Sequence, residues 1–302
     1  YRRVSQLLKK AGIEIIEPEV GELVTSLDMA GTSLTLFWLD DELERLWRAP
    51  VDSPAYHKGT LKLTAPINTS RLDIPEEEAI PPASEASAEA AHCINEALCA
   101  IRKLIDDNVE EFGRLDAIAG DGDHGIGMQR GVAAASEAAN KALLSNAGAG
   151  TLLHLAAEAW ADRAGGTSGA IWGVMLNALS SALGDHDKPT ANHYAQALTK
   201  AKSDVMSFGK AKAGDKTLVD VLIPFSATFE QQVKYGDDLP SAWGKAAEAA
   251  TEAAAATADM IPQIGRARPL AEKSRGAPDP GATSLAMIVN TVHDVIQRHQ
   301  HC

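Results

Sequence analysis

The sequence of 302 residues predicts a mainly all-α fold preceded by a short α/β segment. Three observations carry that prediction. From residue 94 onward apolar side chains recur at intervals of three and four, as in Ile94, Leu98, Ile101, Ile105, Val109 and Phe112, which is the spacing of one helix face. Comparable patterns return at about 127–144, 151–164, 168–184, 190–208, 217–235, 239–259 and 282–299, giving eight helices and no strands in this part. The faces are dominated by Ala (AAAS, AAEA, EAAAATA), which favours helix and lets axes approach closely.

In chain order, a short helix is expected from Val4 to Lys10, strand-like apolar runs at Ile13–Ile16 and Ser33–Leu39, and a helix from Asp41 to Trp47 stopped by Ala49-Pro50. A segment this short buries too little surface to be self-sufficient and leaves strand edges open. It therefore reads as the tail of something larger, over residues 1–65. From about 66 to 87 the pattern dissolves into a Pro-, Ser- and Glu-rich stretch that reads as a linker, and the helical part occupies 88–302.

The charge balance excludes several function classes. With 28 Lys and Arg against 41 Asp and Glu the net charge is −13, which argues against a nucleic-acid binder because such proteins cluster positive charge. No apolar run approaches the roughly 18 residues needed to span a bilayer, and the start lacks a signal-peptide core. A cytoplasmic chain with no membrane partner is expected, one whose first residue is not its natural beginning. Cys93, Cys99 and Cys302 are odd in number and form no CxxC clip, so reduced thiols are expected.

Chemistry is concentrated in the breaks between helices. Asp116, Asp121 and Asp123 place three carboxylates within eight residues, without a Lys among them. Such charges repel unless a hard cation neutralises them, and Mg²⁺ is the cation normally held by a few carboxylates plus substrate phosphates. An EF-hand is excluded, because the twelfth position from Asp121 is Val132 rather than Glu. A solvated Gly-Asp turn is the other reading. Gly165-Gly166-Thr167-Ser168-Gly169 precedes a helix, where it either exposes backbone N–H groups to an anion or caps the helix through Thr167 or Ser168. Gly209 to Thr217 nearly spells a Walker A loop, but Asp215 stands between Gly214 and Lys216 and no buried strand precedes it, so a P-loop is rejected. No HExxH occurs, and of the scattered histidines only His124 lies in a candidate site.

Taken jointly, LDAIAGDGDHG, GGTSGA, GDKT, and GRA followed by DPGA resemble, in this order and at these distances, the nucleotide-binding L domain of dihydroxyacetone kinases, over about 88–302. The first 57 residues, with GELVTSLDMAGTSLTLFWLDDEL and APVDSPAY, resemble the end of the partner K domain, which in this family binds the ketose. Fusion through a Pro-rich linker resembles the ATP-dependent, single-chain branch. The resemblance implies an eight-helix antiparallel barrel with ATP or ADP at one end. It implies that Asp116, Asp121 and Asp123 hold Mg²⁺ on the phosphates. It also implies that His124, Gly125, Ile126, Gly127, Thr167, Ser168, Gly209, Leu218, Arg266, Asp279, Pro280 and Gly281 surround the nucleotide.

Two departures from the family pattern stand out. Arg268-Pro269 replace the Ser-Tyr that many members carry after GRA, so the wall of that loop differs. The family's K domain holds its substrate covalently through a His, whereas the first His here is His57, so the substrate anchor is expected outside this chain.

The activity implied is phosphorylation of a small ketose such as dihydroxyacetone, held by a K domain, in a full-length homodimer serving glycerol metabolism. No catalytic base is evident in residues 88–302. Three further readings remain: a kinase of a four-carbon ketose, an ADP-bound phosphocarrier or regulatory subunit of a phosphoenolpyruvate-dependent system, and a lyase that forms a cyclic product from FAD.

Overall fold

The computed structural model describes residues 1–21, 33–54, 56–59, 80–265 and 267–299. The described residues fall into two compact units, one up to Gly59 and one from Ile80 onward.

In the N-terminal unit, helix α1 spans Arg2–Lys10 and helix α2 spans Asp41–Trp47. Asp40 starts α2 by accepting the Leu43 N–H at 2.8 Å, the N-cap geometry that Asp favours. Strands β1 (Val51–Ser53) and β2 (Tyr56–Lys58) form an antiparallel hairpin in the register Val51–Lys58 and Ser53–Tyr56. The runs Ile13–Ile16 and 33–39 are irregular rather than strands. Alternating apolar residues give a strand only where a neighbour takes up the backbone donors, and among the described residues neither run has one. Neither helix buries a residue, and Leu34, Phe37 and Trp38 are more than half exposed. His57 pairs with Asp52 at 2.6 Å on the exposed hairpin.

Among its described residues the second unit has eight α-helices: α3 (Glu85–Asp116), α4 (His124–Leu144), α5 (Ala149–Ala164), α6 (Gly166–Leu183), α7 (Ala191–Gly209), α8 (Val219–Tyr235), α9 (Leu239–Ala256) and α10 (Pro280–Arg298). From α4 onward each packs on its predecessor, and α10 returns against α3, so the ring closes as an antiparallel barrel. Helix α3 starts well before its apolar period is visible, because Ser84 caps it by accepting the Ser87 N–H and its first turns are Ala and Glu.

Inside the ring, Trp160 stacks on Trp172 with centroids 4.9 Å apart, and Phe225 and Phe229 meet the Trp243 ring edge-on. The Trp243 indole N–H donates to the Val289 carbonyl at 2.8 Å, which ties α9 to α10. Alanines with no exposure, among them Ala135, Ala156, Ala246 and Ala250, fill the helix contacts. Among the described residues no helix is long and apolar enough to cross a membrane. Cys99 is a free, exposed thiol, and Cys302 lies outside the described residues.

Up-and-down topology puts the starts of α3, α5, α7 and α9 at one end of the barrel and those of α4, α6, α8 and α10 at the other. At the first end the starts are closed by side chains. Ser84, Thr190 and Asp238 cap α3, α7 and α9, while the Ser87 hydroxyl and the Asp185 carboxylate accept the Ala149 and Thr151 N–H groups of α5. At the opposite end α10 has a side-chain cap, Asp279, whereas the N-cap side chains of α4 and α6 make no such bond.

Candidate functional site

The glycine-rich end gathers the loops after α3, α5, α7 and α9. Asp116 is the last residue of α3, Asp121 lies in the following loop, and Asp123 is the N-cap position of α4. The three carboxylates offer oxygens that all lie within 4.8 Å of one another, Asp116 partly buried and the other two exposed. The loop turns at Gly122 (φ 79°), and Asp116 Oδ2 accepts the Gly122 N–H at 2.9 Å and the His124 N–H at 3.4 Å. Three hard oxygen donors so close form a set that suits Mg²⁺.

Across the loop, His124 opens α4. Its Nε2 lies 3.0 Å from the Ser284 hydroxyl of α10, and its ring meets Phe112 edge-on at 6.0 Å. Burial lowers the imidazole pKa, opposed by the Asp116 charge and by a hydrogen bond from the imidazole to the Pro280 backbone carbonyl. Gly125 seats this turn directly on α3, since a Cβ there would lie 2.1 Å from the Val109 carbonyl oxygen. Ile126 is exposed, and Gly127 faces the end of α5, where a Cβ would lie 3.5 Å from the Ala164 carbonyl oxygen.

Thr167 and Ser168 fall in the first turn of α6, not at its cap; the cap position is Gly165, in a left-handed conformation (φ 70°). Neither α4 nor α6 is capped by the side chain of its N-cap residue, and apart from the His124 N–H, which Asp116 accepts, the first N–H groups of these helices carry the positive end of the helix dipole toward the loop cluster.

Gly209 ends α7 and Leu218 is the N-cap position of α8. Leu218 lies against the start of α10, 3.6 Å from where a Cβ on Gly281 would sit. Asp279 caps α10 by accepting the Ala282 N–H at 2.7 Å, with Pro280 and Gly281 in the first turn. Burial raises the Asp279 pKa to about 7, with Asp220 adding to the rise and the Ala282 N–H, Lys216 and the Gly281 N–H opposing it. Arg266 lies outside the described residues.

Sequence reasoning passed over several neighbours of the site. Ser284 and Phe112 fix the His124 ring, and Asp220 accepts the Gly214 and Thr217 N–H groups at 2.5 and 2.8 Å. Thr217-x-x-Asp220 is the spacing of a capping box, a signal that could have singled out Asp220. The contact of His124 with Ser284 spans 160 positions and left no local trace.

Comparison with known proteins adds an independent line. The family model described as DAK2 domain matches residues 118–294, and the one described as Dak1 domain matches residues 1–55. The chain is 60% identical to an L-erythrulose kinase of Pectobacterium atrosepticum over 98% of its length and 50% of the relative's. It is 49% identical to a D-erythrulose kinase of Mycolicibacterium smegmatis, over 98% of this chain and 52% of that protein. Against a human triokinase/FMN cyclase the identity is 28%, over 96% and 50%. The chain thus spans about half the length of the curated relatives it matches. In fold it is similar to the crystal structure of the dihydroxyacetone kinase from C. freundii in complex with AMP-PNP and Mg²⁺, with a TM-score of 0.55 at 21% identity, over 85% of this chain and 42% of that one.

Proposed function

The chain belongs to the dihydroxyacetone kinase family, and on that premise we propose that its helical unit presents Mg-ATP to a small ketose held by a K domain. The observation that carries the reading is the pairing, at one barrel end, of a three-carboxylate cluster with two helix starts that their N-cap side chains leave open. The first suits a divalent cation and the second suits phosphate oxygens.

Asp116, Asp121 and Asp123 would hold the Mg²⁺, which when bound would offset the charge of the phosphates. The N–H groups at the starts of α4 and α6 bind the phosphates, and Leu218 with Asp279 to Gly281 forms the wall beside them. His124, held by Ser284 and Phe112, fixes the first turn of α4 next to the metal loop. The base that takes the hydroxyl proton belongs to the ketose-binding domain in this reading.

The substrate favoured is a four-carbon ketose rather than dihydroxyacetone, because the relatives at 60% and 49% identity are named erythrulose kinases. The reaction is placed in the cytoplasm, where ATP is regenerated. Calorimetry tests the site: Asp121→Asn and Asp123→Asn each weaken Mg-ADP by about tenfold or more. Unchanged affinity in both variants overturns the metal assignment.

A further inference from the structure

Lys216 carries two local penalties. Its backbone sits at φ 60°, a left-handed conformation that disfavours any residue with a Cβ, and its side chain is buried, with 5% exposure. A spacer in a surface loop needs neither, and glycine would serve the backbone better.

The side chain reaches out of the α7–α8 loop into the α9–α10 connection. There Nζ donates to the Ser274 carbonyl at 2.7 Å, to the Met260 carbonyl at 3.2 Å and to the Ser274 hydroxyl at 3.3 Å. An ammonium has three N–H donors, so these three oxygens occupy all of them and leave none for a phosphate. Asp279 and Asp259 supply the opposing charge.

The residues around Lys216 are turned inward as well. Asp220 gathers the N–H groups of Gly214 and Thr217, and Asp215 accepts the Lys212 N–H at 2.8 Å while its carbonyl accepts the Gln263 N–H at 3.2 Å. From the other side the Asp279 N–H donates to the Thr257 hydroxyl at 2.9 Å, and the Gly276 N–H donates to the Ala258 carbonyl at 2.9 Å. The two connections are therefore braced into one body. Its edges are Leu218 and the start of α10.

We propose that Lys216 is a positioning residue of the nucleotide site: its ammonium straps the α9–α10 connection to the α7–α8 loop through Met260 and Ser274, holding Leu218 and Asp279 to Gly281 in place without touching phosphate. The inference rests on the nucleotide reading given above.

Lys216→Met removes the charge and the donors while keeping an unbranched side chain. Mg-ADP and Mg-ATP then weaken together, by about tenfold or more. In the nucleotide-free protein the backbone amides of 260–277 exchange faster, while those of α4 to α6 keep their protection. Ser274→Ala and Thr257→Val cut the same brace more gently, move both readouts in the same direction, and carry the test if Lys216→Met does not fold.

Nucleotide affinities equal to the parent's in these variants overturn the proposal. So does a loss several-fold larger for Mg-ATP than for Mg-ADP, which is the signature of a direct phosphate ligand. If the parent itself binds no nucleotide, the functional reading fails instead, and exchange across 260–277 still decides the brace: protection unchanged in Lys216→Met overturns it.

Discussion

Adding one methyl group at two glycines in the same turn should move stability in opposite directions. In Gly125→Ala the new Cβ would lie 2.1 Å from the Val109 carbonyl oxygen, 3.0 Å from the Val109 carbonyl carbon and 3.2 Å from the Gly113 nitrogen, all backbone atoms of α3 that no rotamer change can withdraw. The start of α4 must lift from α3 by about 1 Å to relieve the first of these, and overpacking of this kind costs about 1–3 kcal/mol. In Gly127→Ala the nearest atom is the Ala164 carbonyl oxygen at 3.5 Å, an ordinary contact, so replacing a helical glycine gains up to about 1 kcal/mol. Thermal melts of the nucleotide-free chain read both, at roughly 2–4 °C per kcal/mol for a domain of this size. Gly125→Ala should melt several degrees below the parent and Gly127→Ala at or above it. The lift also carries Asp123 and His124 away from Asp116, so Gly125→Ala should weaken Mg-ADP more than Asp-to-Asn replacement at one ligand. Equal melting temperatures for Gly125→Ala and the parent would show that α4 is not seated on α3 in this way.

Nucleotide should raise the melting temperature through linkage, by roughly 2.7 kcal/mol at a hundredfold excess over Kd; a gain of the same size in EDTA would mean that no cation joins the carboxylates to the phosphates. The Asp279 carboxyl, raised from 3.8 to about 7 by burial, binds a proton in the folded state across a range where the unfolded chain has lost it. Its contribution therefore makes stability fall as pH rises from about 4 to 7. Asn also caps helices, so Asp279→Asn keeps the cap and removes the charge; its advantage over the parent in urea should be larger at about pH 8 than at about pH 5, and an advantage independent of pH refutes the assignment. Finally, the 302-residue chain should bind Mg-ATP yet show no ketose turnover until a separately expressed K domain is added, because in-line positioning of the acceptor hydroxyl accounts for roughly 7–11 kcal/mol of the barrier. Turnover of erythrulose by the chain alone would place the acceptor site among its own residues.

What could be read from the sequence depended on how local its cause is. A helix that buries one face must repeat apolar residues at three and four, so the eight helices were visible as periods, and each glycine-rich break marked a place where the chain changes direction. The start of α3 was hidden for the same reason. Residues 85–93 are Ala, Ser and Glu with one histidine, one cysteine and no large apolar side chain, so their helix rests on the Ser84 cap and high propensity rather than on a stripe. Strands fare worse, because alternation in Ile13–Ile16 or Ser33–Leu39 states only which side chains would share a face, and pairing depends on a second segment that the pattern does not name.

The site divides along the same line. Three aspartates within one loop announce themselves, because a cluster of like charges needs a local remedy. The roles of Lys216 and Ser284 do not, since each depends on a partner that folding brings in from 58 or 160 positions away. The GDKT loop shows the consequence most directly. Its glycine and lysine suggest phosphate binding by composition, the displaced Asp215 argues against a P-loop by spacing, and neither indicates that the lysine is directed inward. Only the folded α9–α10 connection, by offering two carbonyls and a hydroxyl to one ammonium, turns a motif that looks like a ligand into one that holds the ligand's walls.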